Sequence, residues 1–463
     1  MKHYLIPALL FTAVPAAAQQ APAPLPPVDA RVAAMRDDAL KDDYAWDITE
    51  GLTTEVGQRL AGTPAEARAR DWAVRKLTAM GFSNVRVDPF TITNWTRGPE
   101  SAEILAPFPQ RLVIGALGNS ASTGPEGVTG EVVGFDTLAA LESAPDEAVR
   151  GKIVFVSHAM PRTQDGSGYG FFGGPRRQGP TIASKKGAMA IVIRSIGTDY
   201  HRNPHAGVMT FADGAKPIPA GALSLPDAEQ LQRILKRGKP VAMHLTLVSQ
   251  IGQAAPSGNV IAEVPGRDPS LPPVLVGGHL DSWDMGTGAI DDATGVAIVT
   301  AAAKRIMDSG RPLRTIRVVW FGSEELGLFG GQDYLKKHGK EPHYALAESD
   351  FGAGRIWKVN SKLGKDRERE ALMVQAALAP LGVVPGALDK ADGSDIEPLL
   401  DAGMPGVGLN QDGTYYFDVH HTPDDTLDKV DPEQLRQNVA AWTAMLGVLA
   451  GPIEPEPKAA RRR

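Results

Sequence analysis

Hydrophobic and polar positions change rhythm along the chain. Residues 33–48 and 63–80 space their apolar side chains for helices, and the second stretch, ARARDWAVRKLTAMGF, runs into Gly81, a helix stop. SNVRVDPF follows as a strand. From about 125 to 250 the pattern shifts to short β-branched runs at Val128–Val133, Lys152–Val156, Ala188–Ile193 and Val241–Val248, separated by Gly- and Pro-rich loops. This texture predicts a mostly β segment with one or two helices, the last over DAEQLQRILKRG. The stretch GSGYGFFGGPRRQGP at 166–180 reads as a surface loop, because it has neither the GK[ST] ending nor the GxGxxG order of a phosphate cradle.

After residue 258 an α/β alternation sets in. NVIAEVPG, PPVLVGGHLDS and RTIRVVWFGSEE are strand candidates, TGVAIVTAAAKRIMDSG and GGQDYLKKHG are helix candidates, and ALAESD and GVGLN supply shorter strands. DPEQLRQNVAAWTAMLGVL closes the series as a helix. Near-continuous apolar strands predict a mostly parallel or mixed sheet with helices on both faces, an α/β fold. Functional groups of such a sheet emerge beyond the carboxyl ends of its strands.

Length and composition narrow the classes. The chain has 463 residues, 43% of them hydrophobic and 22% charged, which excludes wholesale disorder and allows two or three domains. Its 48 Lys and Arg against 54 Asp and Glu leave a net charge of −6, so no basic excess favours nucleic acid as a partner. Cys is absent, which excludes disulfides, thiolate catalysis and cysteine zinc sites. At the start, Lys2, an apolar run and Ala16–Ala18 read as an export signal over 1–18, followed by a Gln-, Ala- and Pro-rich leader over 19–32. No later apolar run reaches the ~18–20 residues of a membrane span, so the expectation is a periplasmic or secreted protein without stable membrane insertion. Residues 452–463, ending in Arg461–Arg463, read as a flexible tail.

The polar residues then fall into a pattern. His279 and Asp281 follow an apolar strand in GGHLDSWDMGTGAIDDATG, where the imidazole suits a metal and the carboxylate suits orienting that imidazole. Asp291 and Asp292 precede a helix among glycines, a place equally fitted to capping. Glu324 and Glu325 end another strand in VVWFGSEELGLFGG; such a pair divides labour when one acid binds metal and the other takes a water proton. Asp350 ends the short ALAES run, and His420 and His421 lie in FDVHHTPDDT. Nitrogen and oxygen ligands of this kind suit zinc, with spacing alone unable to count the ions.

Together, HLDSWDMGTGAIDD, GSEELGLFGG, ESD and HHTPDD, in this order and at strand ends, resemble the M28 family of zinc exopeptidases, in particular a carboxypeptidase-like branch of it, over most of residues 35–450. The resemblance implies two zinc ions, with His279 and Asp350 on one, Glu325 and His421 on the other, and Asp291 bridging. It implies Glu324 as general base and proton donor and Asp281 as the residue orienting His279. His421 is preferred over His420 because HTPDDT matches the family's terminal motif, and Asp292 is assigned to capping or support. It further implies that 125–250 is a protease-associated-like insertion splitting a catalytic domain of 33–124 and 251–451. Ser394 and Asp395 lie in a stretch resembling a loop beside the substrate pocket, and Tyr415 or Tyr416 is a candidate for oxyanion contact as much as for packing. The expected partners are short peptides, with aminopeptidase or dipeptidase action ahead of carboxypeptidase action, and monomer or homodimer left open. Two other readings compete: a single-zinc aminoacyl cyclotransferase and a noncatalytic peptide-binding protein.

Overall fold

The computed structural model describes residues 25–455 other than Asp42, so the expected export signal, residues 19–24 of the leader and residues 456–463 of the tail lie outside the described residues. Within them the central element is a long antiparallel pair, Ser83–Ala106 with Ala242–Val264. The separate strands expected at 241–248 and 259–264 are therefore one strand, and the expected junction at 250/251 falls inside it. Val260–Val264 pair antiparallel with Ile316–Phe321, whereas Ala242–Leu245 pair antiparallel with Val128–Glu131. A single strand thus belongs to two halves of one continuous sheet.

In the first half the order runs Val384–Pro385, Ile356–Lys362, Gly406–Gln411, Ala345–Glu348, Val274–His279, Ile316–Phe321 and Ala242–Val264. The three strands Ala345–Glu348, Val274–His279 and Ile316–Phe321 are mutually parallel neighbours, with Phe321 opposite His279 and Glu348 opposite Gly277. Their apolar runs divide by alternation, since successive side chains point to opposite faces. Val274, Val276, Val318, Trp320, Ala345 and Ala347 face the helices Thr294–Ser309 and Pro432–Leu449. Leu275, Val319, Phe321 and Leu346 face Tyr334 of the helix Phe329–His338, with Ile396, Leu399 and Leu400 beside it. Both faces are covered, as the unbroken apolar runs require.

The segment expected to be mostly β is itself an α/β layer. Val128–Phe135, Ile153–Val156, Ala190–Arg194 and Ala220–Leu223 form a parallel set, and helices stand at Leu138–Ser143, Asp146–Val149, Gly168–Phe172, Gly174–Arg177, Gly179–Lys185 and Leu225–Leu235. Three of these occupy the stretch 166–180 and its continuation, which reads as a surface loop from composition. Pro175 and Pro180 explain the difference: each sits in a helix's first turn, where its fixed φ fits and its missing N–H costs nothing. At the other end, Glu454 pairs in both directions with Arg311 and Ile453 is buried, so residues 452–455 are tied to the body of the protein.

Candidate metal centre

The three parallel strands deliver their polar residues to one place. His279 is the last residue of its strand; Glu324 and Glu325 follow Ile316–Phe321 after Gly322 and Ser323; Asp350 follows Ala345–Glu348 by two residues. The acidic loop that ends in Asp291 and the His420–His421 turn close over these strand ends. His279 Nε2 lies 3.0 Å from Asp291 Oδ1 and 3.3 Å from Asp350 Oδ1. On the far side of Asp291, Oδ2 lies 3.2 Å from Nε2 of both His420 and His421, and His421 Nε2 lies 2.8 Å from Glu325 Oε2. Asp291 is therefore shared between two imidazole–carboxylate groups.

The tautomers follow from what the other ring nitrogens meet. His279 Nδ1 is 2.9 Å from the carbonyl of Asp281, and His421 Nδ1 is 3.2 Å from the carbonyl of Ala206. A carbonyl only accepts, so each Nδ1 carries the proton and each Nε2 turns a lone pair, in the neutral ring, toward carboxylate oxygens. Lone pair facing lone pair is repulsive unless a cation stands between them. Asp291 Oδ2 and both oxygens of Glu325 are buried without a hydrogen-bond donor, the same signature. The donor set fits a metal ion. His420 is different, because its Nδ1 is buried with no partner.

The electrostatics agree. Burial works against protonated imidazole at His279 and His421, yet both are held well above the usual histidine range, the first by Asp350, Asp281 and Asp291, the second by Glu325 and Asp291. Without a metal, the centre draws in protons to balance its carboxylates. Burial pushes the Glu324 carboxyl well up, helped by the charges of Asp350, Glu325 and Asp395 and opposed by His279.

Asp281 and Asp292 support the centre through backbone groups. Asp281 accepts the amides of Glu324 and Glu325, one on each oxygen, at 3.1 and 3.3 Å, while its own carbonyl holds His279. Asp292 accepts the His279 amide at 3.0 Å and, in the first turn of the helix Thr294–Ser309, the Gly295 amide at 3.0 Å. Its carboxylate also lies within reach of His279 and Asp350, but both oxygens are occupied. Ser394 donates to Asp350 Oδ2 at 2.6 Å, and Asp395 is buried, accepting the Gly331 amide. Tyr416 is buried with its ring 4.7 Å from that of His420, whereas Tyr415 is 72% exposed and lies under Arg162, away from the centre.

Several residues absent from the sequence reading complete the site. Asp425 accepts the amides of Ile290 and Asp291 at 2.6 and 3.1 Å, and burial pushes its carboxyl up to about 7. Arg59, fully buried, donates to the carbonyls of Leu280, Thr287 and Gly288 and so fixes the acidic loop. From the 125–250 segment come His205 and Ala206: the His205 ring lies 4.8 and 5.3 Å from those of His420 and His421. Asp425 sits at the end of the HHTPDD motif and was within reach of a sequence argument. Arg59 and Ala206 carry no local pattern.

A helix-flanked mixed sheet with shared carboxylates and imidazoles at its strand ends is the architecture of a metal-dependent hydrolase. Residues 259–446 match the model of peptidase family M28. Carboxypeptidase Q of Bos taurus is 34% identical over 411 residues, covering 88% of this chain and 85% of its own. The structure of a peptidase M28 precursor from Shewanella amazonensis SB2B superposes with a TM-score of 0.89 at 45% identity, covering 92% of this chain and 98% of that one. An aminopeptidase from Aneurinibacillus sp. strain AM-1 shares the fold, with a TM-score of 0.62 at 22% identity over 92% of this chain and 98% of its own. The chain belongs to peptidase family M28 and is a metallo-exopeptidase. No helix among the described residues is long and apolar enough to cross a membrane.

Proposed function

We propose that the protein is a zinc-dependent exopeptidase that hydrolyses peptide bonds near the ends of short peptides, by aminopeptidase or dipeptidase action in preference to carboxypeptidase action. One observation carries the reading: His279 and His421, each with Nδ1 fixed on a carbonyl, turn Nε2 toward opposite oxygens of Asp291. His279 and Asp350 would hold one zinc, Glu325 and His421 a second, and Asp291 would bridge them. Zinc bound there acidifies water and polarises a peptide carbonyl.

The chain's own residues supply the proton traffic and the alignment. Glu324, whose carboxyl burial pushes well up and so makes the stronger base when ionised, takes the proton of the attacking water as a carboxylate and, once protonated, returns it to the leaving amine. Asp281 aligns that base with His279, since one carboxylate holds the Glu324 and Glu325 amides while the same residue's carbonyl holds the imidazole. A cavity of about 560 Å³ beside Asp350 is lined by Asp165, Glu348, Asp392, Glu397 and Asp401 against Lys362 and Lys390. That excess of acids favours a substrate's free α-amine over its carboxylate. We read residues 1–18 as an export signal, which places the enzyme in the periplasm or outside the cell; N-terminal sequencing of the mature protein tests it.

The cleavage test pairs each short peptide with its N-acetyl twin and follows products of the zinc-loaded protein by mass spectrometry. Residues released only from free-amine peptides support amino-terminal recognition. Equal cleavage of both forms overturns it in favour of carboxypeptidase action, and no hydrolysis of either overturns the exopeptidase assignment.

A further inference from the structure

His421 does not hold its position unaided. Its backbone adopts φ 57, in the left-handed region that a side chain disfavours, and its Nδ1 needs an acceptor. Both needs are met by one residue 215 positions away in the sequence: the Ala206 amide donates to the His421 carbonyl at 3.2 Å, and the Ala206 carbonyl accepts from His421 Nδ1 at 3.2 Å.

The segment carrying Ala206 is itself fixed to the inserted sheet. The His205 amide donates to Ser195 Oγ at 2.8 Å, directly after the strand Ala190–Arg194, and the Gly207 carbonyl accepts the Gly118 amide at 2.9 Å. Behind Ala206 lies Arg176, 5% exposed, with no carboxylate at ion-pair distance among the described residues and its Nε unpartnered. Its Nη1 donates to the Ala206 carbonyl at 3.3 Å, the same oxygen that receives His421. The guanidinium lies over the Tyr169 ring at 5.2 Å but has no ion pair among the described residues, and burying such a charge is costly, so a function for it is expected. Gly207 completes the arrangement: at φ 137 it is in a region that favours glycine, and a Cβ there would collide with Arg176 Nη1 and stand 2.6 Å from His421 Nδ1.

We infer that His205–Gly207, backed by Arg176, is part of the metal centre. The inserted segment supplies the outer partner that fixes the His421 tautomer, so zinc affinity on the His421 side depends on its docking. By reciprocity, zinc bound at that side tightens the docking of residues 205–207. Ala206 and Arg176 are positioning residues; neither touches substrate in this scheme. The inference rests on the two-zinc reading proposed above.

The test uses the full chain and two readouts other than turnover. Chelator competition measures the zinc affinities of the unaltered protein and of Gly207→Ala, and amide hydrogen exchange follows peptides covering 205–208 with and without zinc. One of two zinc affinities should weaken by about 10–100-fold in Gly207→Ala while the other is kept, as for other outer partners of metal-bound histidines. Zinc should slow exchange at the Ala206 amide of the unaltered protein. Unchanged affinities in the variant, or exchange at Ala206 indifferent to zinc, would overturn the inference. If Gly207→Ala fails to fold, Arg176→Met, which removes a donor without adding bulk, is read on the same titration: weakening of the same site supports the clamp, and unchanged affinities sink it. An unaltered protein that binds no zinc would overturn the metal reading itself, and the clamp with it.

Discussion

Asp281 Oδ1 lies 3.1 Å from the backbone nitrogen of Glu324, and the carbonyl of Asp281 lies 2.9 Å from the imidazole of His279. One residue therefore sets the distance between the proposed base and a proposed metal ligand. Asp281→Asn keeps the shape but turns an NH₂ group toward one of the two amides, because an amide side chain offers a single acceptor oxygen. The expected result is a fall in kcat of about 10–100-fold with zinc content and KM nearly unchanged. Steady-state kinetics beside metal analysis check it, and a rise in KM alone would assign Asp281 to substrate binding instead.

Glu324 and Glu325 are adjacent, yet their surroundings separate them. The Glu325 carboxylate faces His421 at 2.8 Å, whereas no ring nitrogen lies at ion-pair distance from Glu324 among the described residues. Glu324→Gln should retain zinc and lose about 10²–10⁴-fold in kcat, the range of a general acid–base group. Glu325→Gln should lose zinc. Full turnover in a zinc-replete Glu324→Gln protein would remove Glu324 from the role of base.

His420 and His421 are equally close to Asp291, at 3.2 Å each, and their rings stack 3.7 Å apart. What distinguishes them is the other ring nitrogen. His421 has a carbonyl fixing its tautomer and His420 has none, so only His421 is preorganised to offer Nε2. In paired substitutions, His421→Gln should shed one zinc per chain and His420→Gln should keep both. The reverse pattern, read by elemental analysis after dialysis, would transfer the ligand assignment to His420.

This distinction marks where the sequence stops being legible. His279, Asp291, Glu324, Glu325, Asp350 and His421 each follow an apolar run or sit in a turn-rich motif, and parallel strands bring such ends together by rule, so order along the chain translates into proximity. Strand positions were readable for the same reason: alternation and length carry them. Arg59 and Ala206 reach the centre through contacts across 228 and 215 positions, Arg176 reaches it only through Ala206, and an isolated Arg or Ala has no periodicity to announce it. The layer within 125–250 departs from its composition for a local reason, since Gly and Pro in 166–180 signal a loop while both prolines, Pro175 and Pro180, start helices.

Far from the centre, His343 offers a pH test of the fold. Its Nδ1 donates to the Glu341 carbonyl at 2.9 Å and its Nε2 accepts from Tyr334 Oη at 3.0 Å, while Arg317 Nη1 donates to the same Oη at 3.0 Å. The neutral ring is fully satisfied, and a second ring proton would oppose the tyrosine hydroxyl. Burial and then the Arg317 charge lower the imidazole to about 4, from an ordinary value of 6.5. The folded state therefore binds fewer protons than the unfolded one between these values. This contribution to stability is complete above pH 6.5 and is lost as pH falls toward 4, amounting to about 2 kcal/mol by pH 5. Asp425 and Glu348, raised to about 7 and about 8, drive stability the opposite way over part of that range, so the whole-protein curve mixes signs. The difference between unaltered protein and His343→Gln isolates the histidine. Urea unfolding should show the variant less stable at pH 8, by about 1–3 kcal/mol for a disturbed buried hydrogen-bond pair, with that gap shrinking by about 2 kcal/mol at pH 5. A gap that stays constant between the two pH values would mean that His343 titrates alike in the folded and unfolded chains.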